Sequence, residues 1–145
     1  MTRKRFFAAA VALGLATPAA AESVLRYAPS SDLATLDAMI TTATTVGQHG
    51  SMVYDTLYSL DENREPRPQM VGQEEISADG LTYRLTLRPN LRFHDGQPVT
   101  SEDVVASINR WMVRDSLGQL LKANLQSLSP DGPQTVVFQL HRRHR

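Results

Sequence analysis

No cysteine occurs among the 145 residues, which excludes disulfide scaffolds, cysteine-bound zinc, iron-sulfur clusters and thiol nucleophiles. Such a composition is compatible with an oxidising compartment without requiring one. Long apolar runs are also missing: the longest, Phe6 to Ala16, contains a glycine and falls short of the roughly 18 to 20 residues a spanning helix needs. This excludes an integral helical membrane protein. Aromatic residues are sparse at 6%, with Trp111 the single tryptophan. An excess of either charge is absent overall, since 15 basic residues balance 15 acidic ones. The balance hides an uneven layout, because Arg3, Lys4 and Arg5 lie at one end and Arg142, Arg143 and Arg145 at the other. Between residues 22 and 140, nine basic groups face fifteen acidic ones, a net −6, which argues against nucleic acid as a partner.

What is present begins with a leader. A basic start at Arg3 to Arg5, an apolar centre from Phe6 to Ala16 and the small residues Ala19, Ala20 and Ala21 before Glu22 are the three parts of a secretory signal, in order. Cleavage after Ala21 leaves 124 residues, about one small domain. Thr2 to Phe7 also resembles the twin-arginine export pattern, but Lys4 stands where the second arginine belongs, so the general secretory route is favoured. Without a cysteine after the cleavage point, the expected product is soluble and periplasmic, with no lipid anchor.

The rest of the chain reads as alternating elements. Val24 to Ala28 is expected to form a strand and Val46 to Thr56 a helix, although Gly47 and Gly50 weaken the latter. The run Leu57 to Leu60 reads as a strand that ends at Asp61 to Asn63, before an exposed loop with Pro66 and Pro68. The strongest signal is Leu81, Tyr83, Leu85 and Leu87 alternating with Thr82, Arg84, Thr86 and Arg88. That period of two predicts a strand with one apolar face, and the turn at Ala78 to Gly80 predicts a hairpin with Glu74 to Ser77. Thr100 followed by Asp103 forms a capping box before a stripe of Val104, Val105, Ile108, Trp111 and Met112, which predicts a helix from about Ser101 to Arg114. After a loop at Pro130 to Pro133, Thr135 to Leu140 reads as a strand.

Few residues carry chemistry. His94 beside Asp95 is better explained as part of a glycine turn than as an acid-base pair, since no nucleophile accompanies it. His141 and His144 lack further ligands and sit among arginines, so a metal site is not expected. Trp111 lies at core spacing and is read as packing. No phosphate loop, nucleophile elbow or zinc-protease helix occurs. No catalytic residue, metal or cofactor is therefore assigned.

Residues 77–104, reading SADGLTYRLTLRPNLRFHDGQPVTSEDV, resemble the signature region of the family 5 solute-binding proteins, the oligopeptide, dipeptide and nickel binders of ABC importers. The likeness rests on Asp79, Gly80, Thr82 and Tyr83, on Leu87 and Arg88, on Phe93 to Gly96 with Pro98 and Thr100, and on Asp103 and Val104. Upstream, Thr35, Leu36 and Asp37 resemble the family's Leu-Asp-Pro element with Ala38 in place of proline, and Val53 to Leu57 resemble its next helix. Glu74 stands where members commonly carry a tryptophan.

This resemblance implies a mixed α/β (α+β) fold of the periplasmic binding protein-like type II class, present incompletely as the start of domain I plus most of domain II across residues 22–140. Members are several hundred residues longer, so residues 141–145 are expected to be a basic tail, out of frame or disordered, on a truncated and impaired product. The implied function is non-catalytic: capture of a peptide or similar small solute and its delivery to ABC permease subunits. Thr42 and Thr44, in the stretch matching the cleft lining, and Arg114, Asp115, Gly118 and Gln119, in an expected loop after the Trp111 helix, are the candidate ligand-binding residues. A small secreted interaction module without catalysis is the competing reading.

Overall fold

The computed structural model describes residues 24–143, so the leader and the last two residues lie outside the described part. Helix α1 spans Thr44–Val53, two residues earlier than its apolar spacing suggests. A two-stranded ribbon follows, β1 Tyr58–Leu60 against β2 Pro66–Pro68. The expected proline loop is therefore a strand. Proline is tolerated there because β2 has only one neighbour, so its missing N–H groups can face solvent.

The main sheet has four antiparallel strands in the order β3-β4-β6-β5, made of β3 Val71–Ile76, β4 Thr82–Leu87, β5 Leu125–Asp131 and β6 Thr135–Leu140. The expected hairpin forms as β3 and β4, with Ile76 opposite Tyr83 and Glu74 opposite Leu85. Its turn needs a left-handed residue, and Gly80 supplies it at φ 69°. Between β4 and β5 the chain crosses one face of the sheet as α2 Ser101–Arg114 and α3 Ser116–Asn124, and β6 then inserts between β4 and β5.

Alternation along β4 sorts its side chains as expected. Leu85 and Leu87 are buried and join Val71, Val104, Val136 and Phe138 in one core, against which Tyr83, Val105, Ile108, Leu121 and Leu128 pack. On the opposite face Arg84 pairs with Glu75 at 3.8 Å and with Asp131, while the Thr86 and Thr135 hydroxyls meet at 3.0 Å.

Two further expectations are corrected. Val24 to Ala28 forms no strand, and Leu25 is 91% exposed. A strand needs a neighbour for its backbone groups, and no strand among the described residues pairs with this stretch. The segment after α2 is not a loop but helix α3, joined to α2 through Asp115 alone. Gly118 makes that junction possible: a Cβ there would stand 2.8 Å from the Trp111 carbonyl and 2.9 Å from Met112 Cα. Period and spacing also left strand β5 unassigned, although Leu125 and Leu128 in it reach the core.

Candidate functional site

The candidate solute-facing stretch lies in the amino-terminal segment, where Thr42 and Thr44 are exposed, Thr44 opening α1. The segment's anchor is Asp37. Its Oδ1 accepts the Met39 amide at 3.0 Å, and its own amide donates to Thr35 Oγ1 at 3.1 Å, so the carboxylate sits in a tight local turn. Arg110, on the outer face of α2, donates to it from both terminal guanidinium nitrogens, Nη1 to Oδ1 at 3.0 Å and Nη2 to Oδ2. That bidentate pair and the Met39 amide hold the Asp37 carboxyl below the usual carboxylate range, with Arg110 the larger cause.

Helix α2 is placed by its own start. Asp103 Oδ2 accepts from the Thr100 amide at 2.8 Å and from the Thr100 hydroxyl at 2.7 Å, and the Asp103 amide returns to Thr100 Oγ1 at 3.4 Å. The capping box is present, with Asp103 making its shorter contacts. Ser101, fully buried, donates from Oγ to the Gly132 carbonyl at 2.6 Å and so ties α2 to the β5–β6 turn. Trp111 is half-buried and lies outside the core cluster.

Of the second candidate group, Arg114 ends α2 exposed. Asp115 is committed to structure: its Oδ1 accepts the amides of Leu117 at 2.8 Å and Gly118 at 3.1 Å, capping α3. Gln119 is exposed, and its side-chain amide makes a long contact of 3.4 Å with the Val113 carbonyl. Gly118 is buried in the α2–α3 contact. Among the described residues no hydrogen bond joins Thr42 or Thr44 to Arg114, Asp115 or Gln119. The two groups nevertheless share α2: Asp37, five residues before Thr42, is held by Arg110, one helical turn before Arg114.

The sequence alone did not point to this role for Arg110. No local signal reveals it, because the two partners are 73 residues apart. His94 and Asp95 form a turn in which the Asp95 carboxylate accepts the Gln97 amide at 3.0 Å and Gly96 takes φ 86°. A cavity of 370 Å³ lies at the far end of α2, between Thr100, Ser101, Glu102 and the Pro130–Pro133 turn, away from both candidate groups.

The tail is partly described. Asn124 is buried, its side chain donates to the Arg142 carbonyl at 2.9 Å and accepts the Arg142 amide at 3.1 Å, and its carbonyl accepts the His141 amide at 2.8 Å. Arg143 covers the hairpin turn at Gly80.

Comparison with known proteins adds to this geometry. A family model for bacterial extracellular solute-binding proteins, family 5, matches residues 65–145. The chain belongs to this family. As a family 5 protein it is 38% identical, over 97% of its length, to a probable peptide ABC transporter periplasmic-binding protein of Sinorhizobium fredii, of which it covers 28%. A probable deoxycholate-binding periplasmic protein of Escherichia coli is 34% identical over 65% of the chain and is covered to 18%. Among solved structures, MoaA in complex with mannopinic acid, from A. tumefacien R10, superposes with a TM-score of 0.70 at 26% identity, over 78% of this chain and 24% of that one. The fold is thus that of family 5 periplasmic binding proteins, and the chain spans between about a sixth and three tenths of the relatives it matches. No helix among the described residues is long and apolar enough to cross a membrane.

Proposed function

We propose that this chain forms part of the extracytoplasmic solute-binding component of an ABC importer, with a peptide or similar small solute as its cargo and the permease subunits as its membrane partners. The observation that carries the reading is the 38% identity across nearly the whole chain to a probable peptide transporter binding protein. Relatives named for peptide, deoxycholate and mannopinic acid share this portion, which supports reading it as common framework, with the choice of solute made elsewhere in such proteins. Residues 1–21 act as the export signal for this role, and amino-terminal sequencing of exported material should begin at Glu22.

In this reading Thr42 and Thr44 offer hydroxyl and backbone groups to the solute, and Arg114 and Gln119 are exposed polar groups on the α2–α3 side. Asp115 contributes less directly, since its carboxylate already caps α3. A solute held in a cleft is surrounded by its walls, and these 145 residues supply only part of an enclosure found in proteins several times longer. Ordering a ligand against one open wall still carries most of the association cost. Calorimetric titration with a mixed library of short peptides is the test. The 145-residue chain alone should show no saturable binding at micromolar concentrations, whereas the same residues grafted in place of the matching part of the Sinorhizobium fredii protein should bind and lose affinity on Thr42→Ala with Thr44→Ala. A graft that folds but binds no peptide would sink the reading.

A further inference from the structure

We infer that Arg110 is a positioning residue: through its bidentate hold on Asp37 it fixes where the Thr41–Thr45 stretch sits relative to α2. The inference rests on the reading of that stretch as a solute-facing wall. Within the amino-terminal segment the hydrogen bonds are internal, with Ser31 to Thr45 at 2.6 Å, Tyr27 to Gln48 at 2.5 Å and Tyr54 to the Leu36 carbonyl at 3.4 Å. Among the described residues the side-chain hydrogen bonds to the rest of the molecule fall at two places. One is its end, where Gln69 bonds Asp55 and Thr56. The other is Asp37.

From Asp37 a contiguous path leads to the candidate residues. Ala38 follows it directly and packs on α1 so closely that a Cβ on Gly50 would stand 2.9 Å from the Ala38 Cβ. Gly50 lies on the same helix that begins at Thr44, and Thr45 is buried with its hydroxyl on Ser31. Moving the Asp37 turn therefore moves α1 and the threonines at its start. The Asp37 turn is closed by its own Met39 and Thr35 contacts, so the guanidinium fork meets a preformed carboxylate, a geometry a lysine cannot reproduce. Both side chains are partly exposed. Such pairs add little to global stability, so removing the pair should shift the segment without melting the fold.

The composition supplies a clean reporter. With one tryptophan, at Trp111 beside Arg110, and no native cysteine, the full chain carrying Gly47→Cys on α1, where an added side chain meets nothing within 4 Å, can be labelled uniquely with an acceptor of tryptophan emission. Energy transfer should be highest with the native pair, lower in Arg110→Lys and lowest in Arg110→Gln. Asp37→Asn, which keeps an acceptor for the Met39 amide, should also lower transfer, while the thermal midpoint stays close to that of the parent. Equal transfer in all four proteins overturns the inference, and so does a collapse of the circular dichroism spectrum in both Arg110 variants, which would make the residue structural. Peptide titration of the same variants in the grafted protein separates the two claims: transfer that falls while peptide affinity holds keeps the clamp and removes the stretch from the solute's wall.

Discussion

The sheet with its two helices and the amino-terminal segment are built from similarly apolar sequence, yet they fold under different rules. In the first, β4 and β6 each contribute alternate apolar residues to one face, and α2 covers them, so Val136 is fully buried and Phe138 nearly so. In the second, Val24, Leu25, Tyr27, Leu36 and Ile40 are exposed and Val46 is the buried apolar residue. Apolar content is therefore a poor guide to order. What separates the regions is whether a second surface lies close enough to cover the first. The amino-terminal segment holds its place through polar ties, chiefly Asp37 to Arg110 and Gln69 to Asp55 and Thr56, and such ties give direction more than they give stability.

The sharpest way to break this contrast is to truncate one apolar side chain in each region. Phe138→Ala should destabilise the fold by about 3 to 5 kcal/mol, while Leu25→Ala should cost under about 0.5 kcal/mol, both read by urea unfolding. Comparable losses would show that the amino-terminal segment has an unrecognised core. Gly118→Ala comes next, at about 1 to 3 kcal/mol, because the new methyl would meet the Trp111 carbonyl and the Met112 Cα, and backbone yields less than a side chain.

A smaller effect tests how α2 is started. Asp103→Ala removes the acceptor of both Thr100 contacts below 3 Å, whereas Thr100→Ala removes the weaker 3.4 Å return bond along with one of them. Both losses should lie within about 0.5 to 2 kcal/mol, with Asp103→Ala the larger. The reverse order would mean that Thr100 Oγ1 is the more important acceptor.

The subtlest probe is pH, which addresses each region through a different group. Tyr58 packs against the main core, and desolvation of its hydroxyl, together with the nearby Glu74 carboxylate, pushes it up to about 12 from 10.0. An unfolded chain gives up that proton first, so stability should decline as pH rises from 10 towards 12 and the decline should vanish in Tyr58→Phe. Asp37 works at the other end. Its lowered value means that the charged form is favoured in the folded state, so its contribution is complete above the ordinary carboxylate value and fades as pH falls through the lowered one. Energy transfer from Trp111 to a label at position 47 should fall in that acid window, before the sheet unfolds. A label signal that tracks global unfolding would remove the distinction between the two regions.

Legibility followed the range of the interactions. The period-two run of β4, its glycine turn, the Thr100–Asp103 box and the α2 stripe were readable because each depends on residues a few positions apart, and strand β6 was readable from its apolar composition. The α3 helix was not, since it is short and carries Gly118, a residue that reads as a breaker until the close approach of α2 gives it a purpose. Val24 to Ala28 failed in the opposite sense: its composition suits a strand, but a strand is a property of a pair. The candidate site was legible only as segments. Thr42 and Thr44 were placed through resemblance, Asp115 proved to be a helix cap, and the Arg110 contact left no local trace.

By itself the sequence determined the hairpin, the capped helix, the absence of thiol chemistry and the family, because local periodicity, turn residues and composition carry those. Tertiary structure alone decided that β6 lies between β4 and β5, that Gly118 joins two helices, and that Asp37 meets Arg110. The physical reason is that these depend on which surfaces remain to be covered once the chain has turned back on itself, and a pairing across 73 residues leaves no periodic trace in the residues between.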